Sequence, residues 1–488
     1  MRIAVIGAGI AGLSCAWKLA QGGKDVTLFE AGDYFGGHTH TVDVTLDGVT
    51  HGVDTGFLVF NERTYPNLIA LFEQLQVESA DSDMSFSVKL PLPGSKTSAA
   101  AGATLEWAGS NLDTVFAQRS NLLRPRFWRM LRDILRFNRQ CTALASSAES
   151  ALAPPLSLGA FLDLHHYSAE FRHWYLLPMA ACIWSCPAQQ MLEFPHSTFI
   201  RFCHNHGLLQ VSNRPQWRTV RGGARVYVEK LLAGIRQKRL ACPVLAVRRQ
   251  TPPQAVAGGP GTGAVCVSTA GGDETFDQVV FACHSDQALA LLADADAAEV
   301  AILSSVRYQP NRAILHTDST VLPQNKKAWS AWNYQSTGSA SSAADGQPEV
   351  CVHYLINRLQ PLPFTTPVIV TLNPVTPINP ACILGDYDYA HPVFDAAAIA
   401  AQQQLAGIQG QRQTWFAGAW TGYGFHEDGL KSGLAVAQAL KTNKAPQSSM
   451  QHRTVLPGAS HPAIDSATES ATPANPGTPQ PRPHHDYA

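Results

Sequence analysis

The chain has 488 residues, 45% of them apolar and 15% charged, a balance that suits a globular protein with large buried cores. A net charge of −1 leaves no electrostatic footprint for nucleic acid, and no nucleic-acid partner is expected. The 10 cysteines lie scattered without a C-x-x-C pair; the nearest two, Cys182 and Cys186, lack the second ligand pair of a zinc site, so buried free thiols and no metal are expected.

Arg2-Ile3-Ala4-Val5-Ile6 is a short, β-branched run that reads as a buried parallel strand. Because it opens at residue 2, no signal peptide is expected, and no uninterrupted apolar stretch reaches the length of a membrane span. A cytoplasmic location is the expectation. Gly7-Ala8-Gly9-Ile10-Ala11-Gly12 follows at once, and Leu13 to Ala20 has the apolar spacing of a helix. Gly7 permits a tight turn, Gly9 lets a pyrophosphate approach the backbone, and Gly12 lets helix and strand pack closely. The helix N-terminus at Ile10 and Ala11 offers unpaired N–H groups and a positive dipole end. Gly22-Gly23 ends the helix, and Asp25 to Phe29 forms a second strand that leads to Glu30. There a carboxylate can accept hydrogen bonds from both ribose hydroxyls of an adenosine. Glycines, strand, helix, second strand and acid together predict a dinucleotide site.

Gly36-Gly37-His38-Thr39-His40-Thr41 comes next, then Val53-Asp54-Thr55-Gly56-Phe57-Leu58. With these stretches the sequence resembles the flavoprotein superfamily of amine oxidases, protoporphyrinogen oxidases and carotenoid desaturases. Its members carry G-G-R-x-x-[ST] and D-x-G around the FAD pyrophosphate and isoalloxazine. The resemblance implies FAD rather than NAD, with contacts from Gly36, Gly37, His38, Thr39 and Thr41 and from Gly56, Phe57 and Leu58. His38 stands where the pattern has arginine, which takes the permanent charge out of the phosphate contact.

From about Asn61 to Leu208 helical patterns dominate. One helix starts at Tyr65, and another runs from Phe127 to Phe137. In the second, Arg129, Arg132, Arg136 and Arg139 fall on one side, and Phe127, Met130, Leu131, Ile134 and Phe137 on the other. A surface helix packed on the core accounts for this pattern. With Arg119, Arg124 and Arg126 nearby, so does a peripheral membrane contact made by residues 119–139. Trp174 to Ser185 is apolar almost all round and reads as a buried helix or the lining of an apolar channel. His204 and His206 lack a third ligand and read as structural histidines.

The α/β pattern returns at Thr219-Val220-Arg221-Gly222-Gly223-Ala224. A helix is predicted over Val226 to Leu232, with strands at Val244 to Val247, Ala264 to Ser268 and Val279 to Ala282. Pro252 to Gly263 reads as a surface loop. The resemblance implies that Gly222 and Gly223 meet the cofactor and that Val247 lies against the adenine. Further strands at Arg312 to Leu315, Val350 to Ile356 and Val368 to Leu372 are expected under a substrate cavity. Ser336 to Pro348 reads as a low-complexity loop and Ala396 to Leu405 as a helix. Thr414 to Gly418 reads as a strand entering a glycine-rich turn, followed by a helix over Gly429 to Ala437. In the resembling enzymes this is the last contact with FAD, here through Gly418, Ala419, Gly429 and Leu430; the helix dipole favours the negative charge of the reduced flavin. Ala419-Trp420 replaces the acid usual after F-A-G. No cysteine lies between Trp415 and Gly433, so non-covalent FAD is expected. After about Lys444 the chain is rich in Pro, Ser, Thr, Ala and His and reads as a disordered tail.

The expected fold is therefore α/β. A Rossmann-type, amine-oxidase-like FAD-binding domain takes residues 1–60, 207–300 and 411–444, and an interleaved α+β substrate domain takes 61–206 and 301–410, with the tail at 445–488. Only one dinucleotide fingerprint is present, so the flavin is expected to be reduced by the organic substrate, through hydride transfer to N5. Trp420, Tyr423, Phe425 and His426 are placed on the substrate side, with Tyr423 or His426 as proton acceptor; packing explains them equally well. Leu177 to Ser185, Asn205 to Leu209, Arg214 to Trp217, Asn357 to Gln360 and His391 to Phe394 further resemble one flavoprotein group. Its members occur beside bacterial cyclopropane-fatty-acid synthases or fused to the front of plant ones. That resemblance implies desaturation of methyl-branched or cyclopropane-related acyl chains of membrane lipids, a methyltransferase partner, and a peripheral position at the inner membrane. Two readings stay open beside it. One is a flavin amine oxidase releasing hydrogen peroxide, for which no clear acidic anchor is visible. The other is a non-catalytic subunit that binds FAD or lipid.

Overall fold

Arg2–Ile6 lies at the centre of a five-stranded parallel sheet, in the order Gln237–Arg239, Asp25–Phe29, Arg2–Ile6, Gln278–Phe281, Thr414–Phe416. Alternate side chains of the first strand feed two cores, as the pleat of a strand requires. Ile3 and Val5 join Leu13, Ala16 and Val436 on one face, while Ala4 and Ile6 meet Val267, Phe276 and Leu303 on the other. Each such fully buried aliphatic side chain contributes roughly 1.5–3 kcal/mol. Ile6 is level with Phe29 and Phe281, so the strands end together and leave a crevice at their carboxyl edge. This is the Rossmann-type arrangement expected from the sequence.

The computed structural model describes residues 1–92, 104–146, 156–185, 187–211, 214–249, 265–336 and 351–442. The loop expected between Pro252 and Gly263, nearly all of that between Ser336 and Pro348, Cys186 and the tail at 445–488 lie outside the described residues. A three-stranded antiparallel sheet of Val244–Arg249, Val265–Thr269 and Gly272–Phe276 covers one face of the parallel sheet. A seven-stranded sheet runs in the order Ile383–Val393, Arg307–His316, Ile369–Leu372, Cys351–Leu355, Trp332–Gln335, Phe86–Pro91, Thr104–Ala108. All its pairings are antiparallel except Trp332–Gln335 with Phe86–Pro91.

Helices supply the other wall. The predicted arginine helix extends to Pro125–Ser146, opening on a proline whose missing N–H costs nothing in a first turn. Trp174 to Ser185 becomes a π-helical turn, Arg172–Leu176, continued by the buried helix Leu177–Trp184. With Leu158–Leu164 and His196–Asn205 these elements enclose an aromatic core around Phe137, Phe161, Phe171, Phe199 and Phe202. The helix expected at Tyr65 starts one residue later, as Pro66–Leu75. Among the described residues no helix is long and apolar enough to cross a membrane.

Candidate functional site

The three glycines of the first turn do different physical work. A Cβ on Gly12 would stand 1.8 Å from the Gly7 carbonyl oxygen, and one on Gly7 would stand 2.9 Å from the Ala282 carbonyl, with φ already at +101°. Those two allow backbone to touch backbone. Over Gly9 the nearest atom, the Gly36 carbonyl oxygen, is 4.0 Å away, so that face is open. The helix Ile10–Gln21 begins there without a side-chain cap, leaving the amides of its first turn for a ligand. Glu30 closes one side: its carboxylate accepts from the Ala8 amide at 2.8 Å and the Gly32 amide at 2.9 Å. Gly36 donates its amide to the Ala8 carbonyl, and a Cβ on Gly37 would lie 3.1 Å from the Gly9 Cα. Gly7, Gly9, Ile10, Ala11, Gly12, Glu30, Gly36 and Gly37 thus form one cradle.

Thr41, Gly222 and Gly223 enter a buried polar knot behind it. The Thr41 hydroxyl donates to Asp54, the Ala224 amide donates to both Asp54 oxygens, and the Gln360 side-chain amide donates at 2.7 Å. Gln360 in turn accepts from the Asp54 amide at 2.9 Å. Burial pushes the Asp54 carboxyl up to about 7, against the pull of these donors. Gly222 and Gly223 turn with φ of +80° and +95°, and a Cβ on Gly223 would meet the Thr41 methyl at 2.6 Å. Nothing in the sequence pattern announced Gln360 as the partner of Asp54.

His38 sits in a group of aromatic rings drawn from distant segments: His391 at 5.1 Å, Tyr389 at 5.3 Å and His284 at 6.1 Å between centroids. Burial lowers His38 to about 4 and His391 to about 3, and lowers His284 as well, so these imidazoles are neutral near pH 7. His38 Nε2 is buried and has no hydrogen-bond partner among the described residues. The open, uncapped helix turn over Gly9 is what a phosphate-bearing ligand would complete, while the His38 Nε2 lone pair is left to accept from a ligand donor. The residues present therefore fit a dinucleotide cofactor.

The second helix N-terminus arrives from the end of the chain. The helix His426–Thr442 opens three residues before the expected start, because Asp428 accepts from the Tyr423 and Phe425 amides and organises the turn ahead of it. Gly429 lies against Ile10, where a Cβ would be 2.9 Å from the Ile10 side chain, and Gly433 lies against the Ala11 carbonyl. The two helices therefore run parallel with their first turns side by side. His426 stacks on Phe57 at 3.8 Å, and its Nε2 shares a 2.8 Å hydrogen bond with the Tyr227 hydroxyl, which also bonds Thr39. Burial lowers His426 to about 3 and raises the Tyr423 phenol.

Other expected residues fall as follows. Gly56 has no room for a side chain, since a Cβ would lie 2.2 Å from the His38 carbonyl oxygen. The Leu58 carbonyl accepts from the Thr219 hydroxyl. Val247 is fully buried in the antiparallel sheet, and its carbonyl accepts from the Ala293 amide. Gly418 and Ala419 lead into a tight turn, and Leu430 is buried. Trp420, expected on the substrate side, instead points into the core shared by the two sheets of the nucleotide half. Gly418 allows this, because its missing side chain leaves the space that the indole edge fills. Tyr423 and Phe425 face the aromatic helices: Phe425 stacks 4.9 Å from Phe202, and Tyr423 is 6.3 Å from it.

The family described as flavin containing amine oxidoreductase matches residues 10–364. A 15-cis-phytoene desaturase of Synechococcus elongatus is 40% identical over 78 residues, 16% of this chain and 16% of that protein's length. The curated relatives are thus matched over only a small part of their own length. Among solved structures, a conjugated-linoleic-acid-producing fatty acid isomerase from P. acnes superimposes with a TM-score of 0.56 at 15% identity, covering 91% of this chain and 98% of that one. The cyclohexylamine oxidase of Brevibacterium oxydans gives 0.60 at 16% identity, covering 91% and 99%. At such identities these two structures speak for the fold alone.

Proposed function

The chain belongs to the flavin containing amine oxidoreductase family and takes FAD as its cofactor, and from that premise we propose that it dehydrogenates a hydrophobic substrate, the methyl-branched or cyclopropane-related acyl chains of membrane lipids. One observation carries this reading. An aromatic seam runs from the helices to the loop at the cofactor crevice: Trp184 lies 4.5 Å from Phe202, Phe202 stacks on Phe425, and Phe425 precedes His426, which stacks on Phe57. Such a wall shelters an alkyl chain and excludes water. The two acids beside it are occupied. Glu427 accepts from the Asn67 and Leu68 amides, and Asp428 from those of Tyr423 and Phe425. Neither is left to anchor an ammonium ion, which favours desaturation over amine oxidation.

When bound, FAD would supply the two-electron acceptor for removal of a hydride and a proton from adjacent carbons as the double bond forms, with dioxygen or another acceptor taking the electrons onward. The proton falls to the chain's own residues. Of the two candidates, His426 is the one with an unprotonated imidazole near pH 7, a weak base at about 3 that substrate binding must raise for it to take the proton, with Tyr227 and Thr39 behind as a hydrogen-bonded chain. Tyr423 stays a phenol because burial raises its pKa, so it orients by donating a hydrogen bond. Glu30, the first turn at Ile10 and Ala11, and His38 would hold the ribose and phosphates. An enzyme that methylates acyl chains would supply the substrate, at the inner face of the membrane. Anaerobic titration of the purified flavoprotein tests the proposal. Lipid carrying methyl-branched or cyclopropane chains should bleach the visible flavin band, and a panel of amines should not. Bleaching by amines alone would make it an oxidase, and bleaching by neither would leave a binding subunit; both outcomes overturn the proposal.

A further inference from the structure

The arginine helix Pro125–Ser146 has two working faces. Its inner face adds Phe137 and Cys141 to the aromatic core that contains Phe202 and Phe394 and on which Phe425 packs. Its outer face is unusual for a folded domain. Trp128 is 49% and Leu135 61% exposed, and the adjoining turn Arg119–Leu123 adds Leu123 at 88%. Trp128 and Leu135 are seven residues apart, two helical turns, so they share one stripe along roughly 10 Å of helix. Arg132 and Arg139 have the same spacing and form a second stripe beside it. Neither has an ion-pair partner among the described residues, whereas Arg126 and Arg129 both pair with Glu170. Trp128 donates its indole N–H to the Leu122 carbonyl at 2.9 Å and pins the turn to the helix. Between them lies a groove of about 490 Å³, lined by Leu122, Leu123, Pro125, Trp128, Arg129 and Arg132.

We propose that this face is a docking surface for an anionic lipid bilayer, with Leu122, Leu123, Trp128 and Leu135 entering the interfacial region and Arg132 and Arg139 meeting the phosphate headgroups. Exposed leucines and a tryptophan rimmed by arginines have the composition of an interfacial helix. Charge selects the occupant. Between Leu112 and Arg139 there are seven arginines against two aspartates, in a chain whose net charge is −1, so the cation excess is concentrated here. A second copy presenting the same face across a two-fold axis would be repelled, whereas an anionic surface is attracted. The surface stands on its own residues. It also deepens the lipid reading, because the helix that would lie on the bilayer forms, with its inner face, part of the aromatic core that reaches Phe425.

Flotation of the full-length flavoprotein with vesicles tests it, using phosphatidylglycerol mixed with phosphatidylcholine against phosphatidylcholine alone, both free of methyl-branched and cyclopropane chains. Binding is expected only to the anionic vesicles and should weaken as salt rises. Arg132→Glu with Arg139→Glu should lower vesicle affinity at least tenfold, since each arginine near such a surface contributes roughly fivefold. Leu123→Ser with Trp128→Ser should also lower it, and both pairs should keep the flavin absorption of the parent protein. Equal binding to neutral vesicles, no binding at all, or undiminished binding by the variants would overturn the proposal. So would self-association that the same substitutions abolish, which would assign the face to a second copy. Docking without flavin bleaching by lipid would remove the substrate reading and leave the surface; bleaching by detergent-dispersed lipid without docking would do the reverse.

Discussion

In the cofactor cradle, backbone touches backbone: a Cβ on Gly12 would reach within 1.8 Å of the Gly7 carbonyl, and one on Gly433 within 2.2 Å of the Ala11 carbonyl. In the aromatic seam, rings meet rings. Trp184 lies 5.8 Å from Phe199 and 4.5 Å from Phe202, at interplanar angles of 37° and 54°. Backbone in a helix or strand cannot yield without breaking hydrogen bonds, whereas tilted rings can shift by rotamer and repack. The molecule therefore separates a rigid half, which forms the cofactor cradle, from an adaptable half, where the proposed function places the substrate.

The largest effect should come from Gly12→Val. Its side chain has nowhere to go, so the protein should lose both flavin and at least about 3 kcal/mol of stability. Flavin absorption of the purified variant and its melting curve report both, and retained flavin would break the claim of rigidity. Phe202→Ala probes the other half. It should cost about 3 kcal/mol, keep the flavin spectrum and weaken bleaching by lipid; loss of the flavin would show that the halves are not separable. Glu30→Leu should be gentler. With the fold intact, FAD affinity measured by flavin fluorescence should fall roughly 10- to 150-fold, as expected for a charge-assisted hydrogen-bond pair.

The remaining effect is a pH dependence. His38 is held at about 4, and His391 and His426 at about 3, chiefly by burial, while unfolded histidine titrates near 6.5. Between those values the unfolded chain binds more protons than the folded one, so stability present at neutral pH is lost as pH falls below about 6.5. Asp54, raised to about 7, and Asp428, raised to about 6, act in the opposite sense over much of this window, as two carboxyls against several imidazoles. Melting temperatures of the flavin-free protein should decline from pH 6.5 towards 4, and His391→Gln should flatten that slope. A flat profile in the parent would mean that the imidazoles are reached by water.

The legible parts of the fold and site were local. Strand, turn, helix, second strand and acid fall within the first thirty residues, and each step is dictated by hydrogen-bond geometry between near neighbours. The apolar periodicities that predicted the arginine helix and the buried stretch before Ser185 are local too. Hydropathy starts the last helix at Gly429, three residues late, because the device that starts it, Asp428 reaching back to Tyr423 and Phe425, leaves no trace there. For Trp420 the neighbours alone leave substrate side and packing equally open, and the gap left by Gly418 decides for the core.

What the sequence determined by itself is the dinucleotide cradle and the alternation of parallel strands with helices, since a glycine's missing side chain and a strand's alternation act at the spot where they occur. Only the tertiary structure decided that His284 and His391 gather around His38, that Gln360 answers Asp54 from 306 residues away, and that Glu427 and Asp428 are already occupied. Burial, orphaned polar atoms and shifted protonation arise where distant segments exclude water together, and no single stretch of chain contains that information.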